Sequence, residues 1–188
     1  SVFRRAPRAS LFPSTALFRF IGFVALLGLA VLAATSTKSA MRKLGAKWSR
    51  LHKIVYLIAV LGVLHFFMQS KVDVSEATLM AGVFVTLMLY RFAHWRGWSL
   101  RSVPTLLGVA IVAGLITAGI EYAWYGLATG IPASRVAAAN LEWMWPMRPA
   151  WNVFLGGFVV IGISVFAKGG LAYDGVEKLI SRALAAAR

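Results

Sequence analysis

The sequence predicts an all-α, polytopic membrane bundle of about five spans plus a C-terminal amphipathic surface helix. Three observations predict it. The 188 residues are 60% hydrophobic, with a mean hydropathy of +0.75, against roughly 45–50% apolar residues in an average soluble domain. The apolar residues fall in runs long enough to cross a hydrocarbon core about 30 Å thick. The 20 Lys and Arg, set against 6 Asp and Glu, gather in the connections between those runs, as in polytopic proteins. The net charge of +14 would suggest nucleic acid in a soluble chain; its distribution argues against that partner here. There is no cysteine, which excludes disulfides, thiolate haem ligation and iron–sulfur ligation by this chain.

Three regions follow: an N-terminal loop at 1–15, a bundle at 16–168 and an amphipathic tail at 169–188. The first contains Arg4, Arg5, Pro7, Arg8 and Pro13 and has no clear signal-peptide cleavage site. Because it opens on Ser1, it reads as a processed end or the start of a fragment. Span A is about 16–35, interrupted only by Arg19, which can snorkel. A basic loop follows with Lys38, Arg42, Lys43, Lys47, Arg50 and Lys53, and Trp48 at headgroup level. Span B is about 52–69. Lys71, Asp73 and Glu76 make a polar turn before span C at about 77–92, which Trp95 and Trp98 anchor. Span D, about 103–125, carries Pro104 in its first turn, a position helices tolerate. Residues 126–149 read as a long loop with three prolines and Trp143 and Trp145. Span E is about 150–167, and Gly169-Gly170 is expected to end it. In the tail, Val176, Leu179, Ile180, Ala183, Leu184 and Ala187 recur at helical spacing, opposite a largely polar side, as in a helix lying on a membrane face.

Five spans put the A–B loop, the C–D loop and the tail on one side, with thirteen basic residues, and seven on the other. The positive-inside rule makes the first side cytoplasmic. The four N-terminal arginines of the second side run against it, and the interior loops decide.

Span B carries the chemistry. Of three histidines, His52 stands at its entrance and His65 near its far end. An ionisable ring at membrane depth is by default a functional-site hypothesis. The thirteen-residue interval rises about 19.5 Å, well over half of the hydrocarbon core. Zinc prefers three or four clustered ligands, and no carboxylate or thiolate lies near either ring in the sequence, so haem iron is the better metal reading. Paired axial imidazoles leave no open position and suit electron transfer. Ala59 and Gly62 allow close packing, and Tyr56, Phe66 and Phe67 could wall a macrocycle. The rotation is imperfect: thirteen residues leave the rings roughly 140° apart on a straight helix, which calls for a distortion, with Gly62 a candidate, or for different neighbours. The plainer readings are a His65 hydrogen-bonded to a neighbouring helix and a wetted interfacial His52. His94, beside Trp95 and Arg96, reads as interfacial. Glu121 is the sole carboxylate inside a span; it reads as an interfacial group near Tyr122 and Trp124, with a proton or quinone role as the sharper alternative. No phosphate-loop, Ser-His-Asp or HExxH pattern is present.

The stretch Thr35-Ser36-Thr37-Lys38-Ser39-Ala40-Met41-Arg42-Lys43-Leu44-Gly45, continued by Trp48-Ser49-Arg50-Leu51-His52-Lys53-Ile54-Val55-Tyr56-Leu57 and Leu64-His65-Phe66, resembles the haem-binding membrane subunit of the bacterial periplasmic methionine-sulfoxide reductase system, the MsrQ family of the ferric-reductase-like transmembrane group. The close likeness covers residues 20–72. It implies haem b held by His52 and His65, FMN as a second cofactor, and a multi-pass inner-membrane protein with the A–B loop and C-terminus cytoplasmic. It also implies electron transfer without substrate chemistry of its own, from a cytoplasmic flavin reductase or quinone to a periplasmic molybdopterin catalytic subunit. In the family a further haem histidine precedes span A. Residues 1–15 contain none, so the first three helices of the family pattern are expected to lie outside this sequence. The competing readings are a ferric-chelate-reductase-like haem protein, a small transporter using Glu121 and His65, and a structural anchor in which the histidines bind nothing.

Overall fold

The computed structural model describes residues 15–70 and 73–186, with side chains for residues 17, 19–70 and 73–167. The described residues form helices and no strand: α1 (Thr15–Thr35), α2 (Lys38–Leu44), α3 (Ala46–His52), α4 (Val55–Gln69), α5 (Ser75–Trp95), α6 (Val103–Trp124), a π-helical turn (Tyr125–Thr129), α7 (Ala133–Leu141) and α8 (Pro149–Ala186). Four stretches are long and apolar enough to cross a membrane: Ala46–Gln69, Ser75–Trp95, Val103–Thr129 and Pro149–Ala167. The pair Arg19–Thr35 and Lys38–Leu44, bent by 91°, passes the same test only when taken together, which brings the number to as many as five. This is a multi-pass all-α membrane bundle.

The bundle has two parts. α1 packs on α4, while α6 packs between α5 and α8; α4 touches α5 and joins the two. In the second part the helix contacts are made of small residues, because lipid tails give apolar side chains no reason to leave them and close backbone packing takes over. Ala110 and Ala113 of α6 are fully buried, and a methyl group on Gly157 of α8 would run into Ala110. A Cβ on Gly82 of α5 would meet the Thr117 hydroxyl and Val153, both at 2.5 Å. Larger apolar groups point outward, such as Leu115 and Phe158, as hydrocarbon permits and water would not. Phe67, Val74, Ala77, Ala81, Tyr125 and Val136 close the core where α4, α5, the π turn and α7 meet.

The sharp exit from α1 is written in hydroxyls. Thr35 and Ser36 donate back to the carbonyls of Val31 (2.8 Å) and Leu32 (2.7 Å). Such back-bonding competes with continuation of the helix. Thr37 then caps α2 by accepting from the Ala40 N–H at 3.2 Å. Gly45, at φ +51°, turns α2 into α3 in a conformation that favours glycine.

Three expectations change. Residues 126–149 are not a plain loop: they contain the π turn and α7, built from the alanine-rich Ala133–Leu141, whose residues favour helix. Span B is interrupted at Lys53–Ile54, where the α3 and α4 hydrogen-bond ladders part, and not at Gly62, which lies inside α4. Span E does not stop at Gly169-Gly170, because α8 runs on to Ala186. Each added residue of a formed helix gains a hydrogen bond, and one glycine costs only about 1 kcal/mol. The amphipathic face expected of 171–188 rests on side chains outside the described residues.

Candidate functional site

α1 and α4 run antiparallel, and α1 meets both histidines. At one end, His52 closes α3. Its Nε2 lies 3.1 Å from Thr35 Oγ1. The Thr35 hydroxyl donates to the Val31 carbonyl, so with its proton committed it accepts from His52 Nε2–H. The His52 ring stacks on Trp48, with centroids 4.1 Å apart and planes 27° apart. Trp48 in turn donates its Nε1–H to the Thr35 carbonyl at 2.9 Å. Thr35 thus holds both rings of this corner.

At the other end, His65 of α4 lies against Gly22 of α1. A Cβ on Gly22 would sit 2.6 Å from His65 Cε1 and 2.9 Å from each ring nitrogen; only glycine admits the ring there. The ring borders a groove of about 530 Å³ lined by Arg19, Gly22, Ala25, Leu26, Leu29, Gly62 and His65. Between the two ends, Ala25, Leu32 and Ile58 close the helix pair.

The spacing is matched on the two helices. His52 and His65 are thirteen residues apart, and so are Gly22 and Thr35, their neighbours on α1. Equal intervals on antiparallel helices keep both contacts in register across about 19.5 Å. The interruption at Lys53–Ile54 supplies part of the rotation. Lys53 N–H bonds the Arg50 carbonyl, Ile54 the Leu51 carbonyl and Tyr56 the Lys53 carbonyl, at 3.3, 3.0 and 3.3 Å. These are i→i−3 bonds, which wind about 120° per residue where an α-helix winds 100°. Three tightened residues add roughly 60° and cut the angle between the rings from about 140° to about 80°.

These residues suit a haem most clearly at His65. An imidazole, packed on Gly22, borders a groove walled by Ala25, Leu26, Leu29 and Gly62, and Arg19 supplies a cation for a carboxylate at the rim. At His52 the imidazole is positioned, but its Nε2 is engaged by Thr35, so ligation there goes through Nδ1 or after release of that bond. Among the described residues no group of three or more His, Asp or Glu could hold a bare metal ion.

The other candidates lie apart. His94 is exposed in the last turn of α5. Glu121, read from the sequence as interfacial, is fully buried. Its Oε1 accepts from Arg148 at 3.1 Å and its Oε2 from Asn140 Nδ2 at 2.8 Å. Trp151 donates to the Asn140 carbonyl at 2.9 Å. Isolation in an apolar bundle would make the carboxylate too costly to keep charged, so α7 and the start of α8 bring it partners. This network binds α6, α7 and α8 together.

Neither a family model nor a solved structure matches the chain. Curated proteins do. The chain is 44% identical over 80 residues to the protein-methionine-sulfoxide reductase heme-binding subunit MsrQ of Bordetella pertussis, which covers 42% of this chain and 39% of that protein. It is 47% identical over 72 residues to the MsrQ of Rhodospirillum rubrum, covering 38% of this chain and 35% of that one. The chain is MsrQ-like. The match spans about two-fifths of the length of these MsrQ relatives.

Sequence reasoning found both histidines of this MsrQ-like chain but not the α1 residues that seat them. Gly22, Ala25 and Gly28 recur every three residues, a small-residue face that was the available signal for Gly22. Asn140 and Arg148 carried no local signal toward Glu121.

Proposed function

We propose that this chain is part of a membrane haem-binding subunit of the methionine-sulfoxide reductase system, with His65 and His52 holding b-type haem. The observation that carries the reading is the matched register: two imidazoles thirteen residues apart on one span, each seated by α1. The names of the MsrQ relatives support it. When bound, haem supplies reversible one-electron chemistry. The chain's own residues position and insulate it. Gly22 seats the His65 ring at the groove, and Ala25 and Gly62 leave room beside it. Arg19 balances negative charge at the rim, while Thr35 and Trp48 fix the His52 ring.

On this reading the protein resides in a bacterial inner membrane, with α2, α3 and the C-terminus cytoplasmic. Electrons enter from a cytoplasmic flavin reductase or quinone and leave to a periplasmic molybdopterin subunit. FMN is a second cofactor on the family pattern. No substrate chemistry is assigned to this chain itself.

Reduced-minus-oxidised spectra of the chain, purified in detergent after expression with ample haem, test the proposal. Wild type should show a b-type α-band and a Soret shift. His65→Ala should lose them while far-ultraviolet circular dichroism stays helical. A helical but colourless wild type, or His65→Ala with undiminished haem, would overturn it.

A further inference from the structure

The hinge between α1 and α4 carries a surface that the haem reading does not use. α2 leaves α1 at 91°, so a spanning α1 lays α2 along the membrane plane. Lys38, Arg42, Lys43, Lys47, Arg50 and Lys53 are all exposed on α2, α3 and the turn after them. No Asp or Glu occurs between residues 36 and 72, and the ion pair described in the structure is Glu121–Arg148, far along the chain. Six exposed cations therefore follow one another with no Asp or Glu between them in the sequence.

The residues between the cations decide what answers them. Counting about 100° per residue from Lys38, Arg42 and Lys43 of α2 fall near 40° and 140°, and Ala40, Leu44 and Met41 near 200°, 240° and 300°. One side of α2 is cationic and the other apolar, and Met41 is exposed. An in-plane helix divided this way places its apolar side at the acyl boundary and its cations among headgroups. An acidic protein would cover only the cationic side and leave Met41 bare. Clusters of four to eight Lys and Arg beside a span are attracted to anionic lipid.

We propose that α2 and α3 form a collar that binds anionic phospholipid headgroups, with phosphatidylglycerol as the representative chemistry. The charge complementarity is local: a zwitterionic headgroup brings an ammonium that these six cations repel, whereas an anionic one brings an unbalanced phosphate. Because His52 ends α3, lipid held on the collar also fixes the corner formed by Thr35, Trp48 and His52. The proposal stands on the exposed cations and does not depend on haem being bound.

The experiment measures phospholipid retained by the full chain, purified from mixed phosphatidylglycerol and phosphatidylcholine micelles and analysed by native mass spectrometry. Wild type should retain phosphatidylglycerol in preference to phosphatidylcholine. A charge of this kind near a membrane surface is worth about fivefold in affinity. The variant Lys38→Gln/Arg42→Gln/Lys43→Gln/Lys47→Gln should therefore lose at least roughly tenfold of the preference, even with strong non-additivity. Its altered positions are exposed, and circular dichroism checks its helicity. Lys38→Arg/Lys43→Arg/Lys47→Arg should keep the preference, which also guards against a misfolded quadruple variant. Arg96→Gln/Arg135→Gln, neutralised elsewhere, should keep it too. Equal retention of the two lipids by wild type would overturn the proposal. So would undiminished retention in the quadruple variant, which would assign the cations to an acidic protein, or an equal loss in the Arg96/Arg135 control.

Discussion

Removing the two partners of the buried ion pair should have unequal consequences. Glu121 is fully buried, whereas the Arg148 side chain is 31% exposed. Arg148→Met strips the carboxylate of its cation and leaves it only the Asn140 amide. Removing one member of a buried pair costs about 3–5 kcal/mol when the survivor stays charged and dry. Glu121→Gln leaves the opposite survivor, a guanidinium that can turn toward water, and a side-chain amide that still accepts from Asn140. That loss is about 1.5–3 kcal/mol, the scale of one hydrogen bond to a charged group. For a chain of this length about 1 kcal/mol moves Tm by roughly 2–4 °C. Arg148→Met should then lower Tm by about 6–20 °C and Glu121→Gln by about 3–12 °C. In the double variant Glu121→Gln/Arg148→Met the stranded charge is gone, and Tm should recover most of the gap between the single variants. Thermal unfolding of the detergent-solubilised chain, followed by circular dichroism at 222 nm, reads all three, and the cycle isolates the coupling. If Arg148→Met proves no more costly than Glu121→Gln, or the double variant is the least stable of the set, the carboxylate does not depend on this cation.

Other outcomes follow from the same geometry. Gly22→Val should expel the His65 ring and lower haem content of the purified chain, read by pyridine haemochrome, at an overpacking cost of about 1–3 kcal/mol. Thr35→Val should cost about 1 kcal/mol, measured as Tm, while Thr35→Ser restores it, because only the hydroxyl is needed to accept from His52. Gly157→Val should separate α6 from α8, since the obstructing atoms belong to Ala110 itself, and should lower Tm more than Gly156→Val, whose Cβ meets open space. Hydrogen bonds from the Ser75 hydroxyl and the Ser75 N–H, the latter at 2.9 Å, hold the Asp73 carboxyl below its ordinary value. A depressed folded pKa stabilises above the unfolded pKa and is lost as pH falls through the folded one. Tm should thus fall with acidification below about pH 4, less so in Asp73→Asn, with the two curves converging at the acid end.

What the sequence made legible was decided by the range of the forces involved. The spans were readable because hydrophobicity is a sum over neighbours, and α1, α5 and α6 begin and end close to the expected positions. The histidines were readable because an imidazole in oil is unusual in itself. Glu121 was misread as interfacial because its environment is made by Asn140 and Arg148, 19 and 27 residues further on, and nothing near Tyr122 and Trp124 announces them. The correction to the ring angle comes from three hydrogen bonds that shift from i−4 to i−3, which residue types around Lys53 do not specify. Ala133–Leu141 was passed over because an alanine-rich stretch is only weakly apolar; its helix forms from propensity and from docking Val136 into the core.

The uninterrupted length of α8 has a consequence for where the chain ends up in space. Its 38 residues rise about 57 Å, nearly twice the thickness of oil that it has to traverse. Even leaning at 40°, the steep end of what single-pass rods adopt, it would cover about 44 Å along the normal. Held straight, at least a dozen ångströms of it extends past the hydrocarbon, so a helix that begins as a lipid-facing wall reaches beyond the oil it crosses.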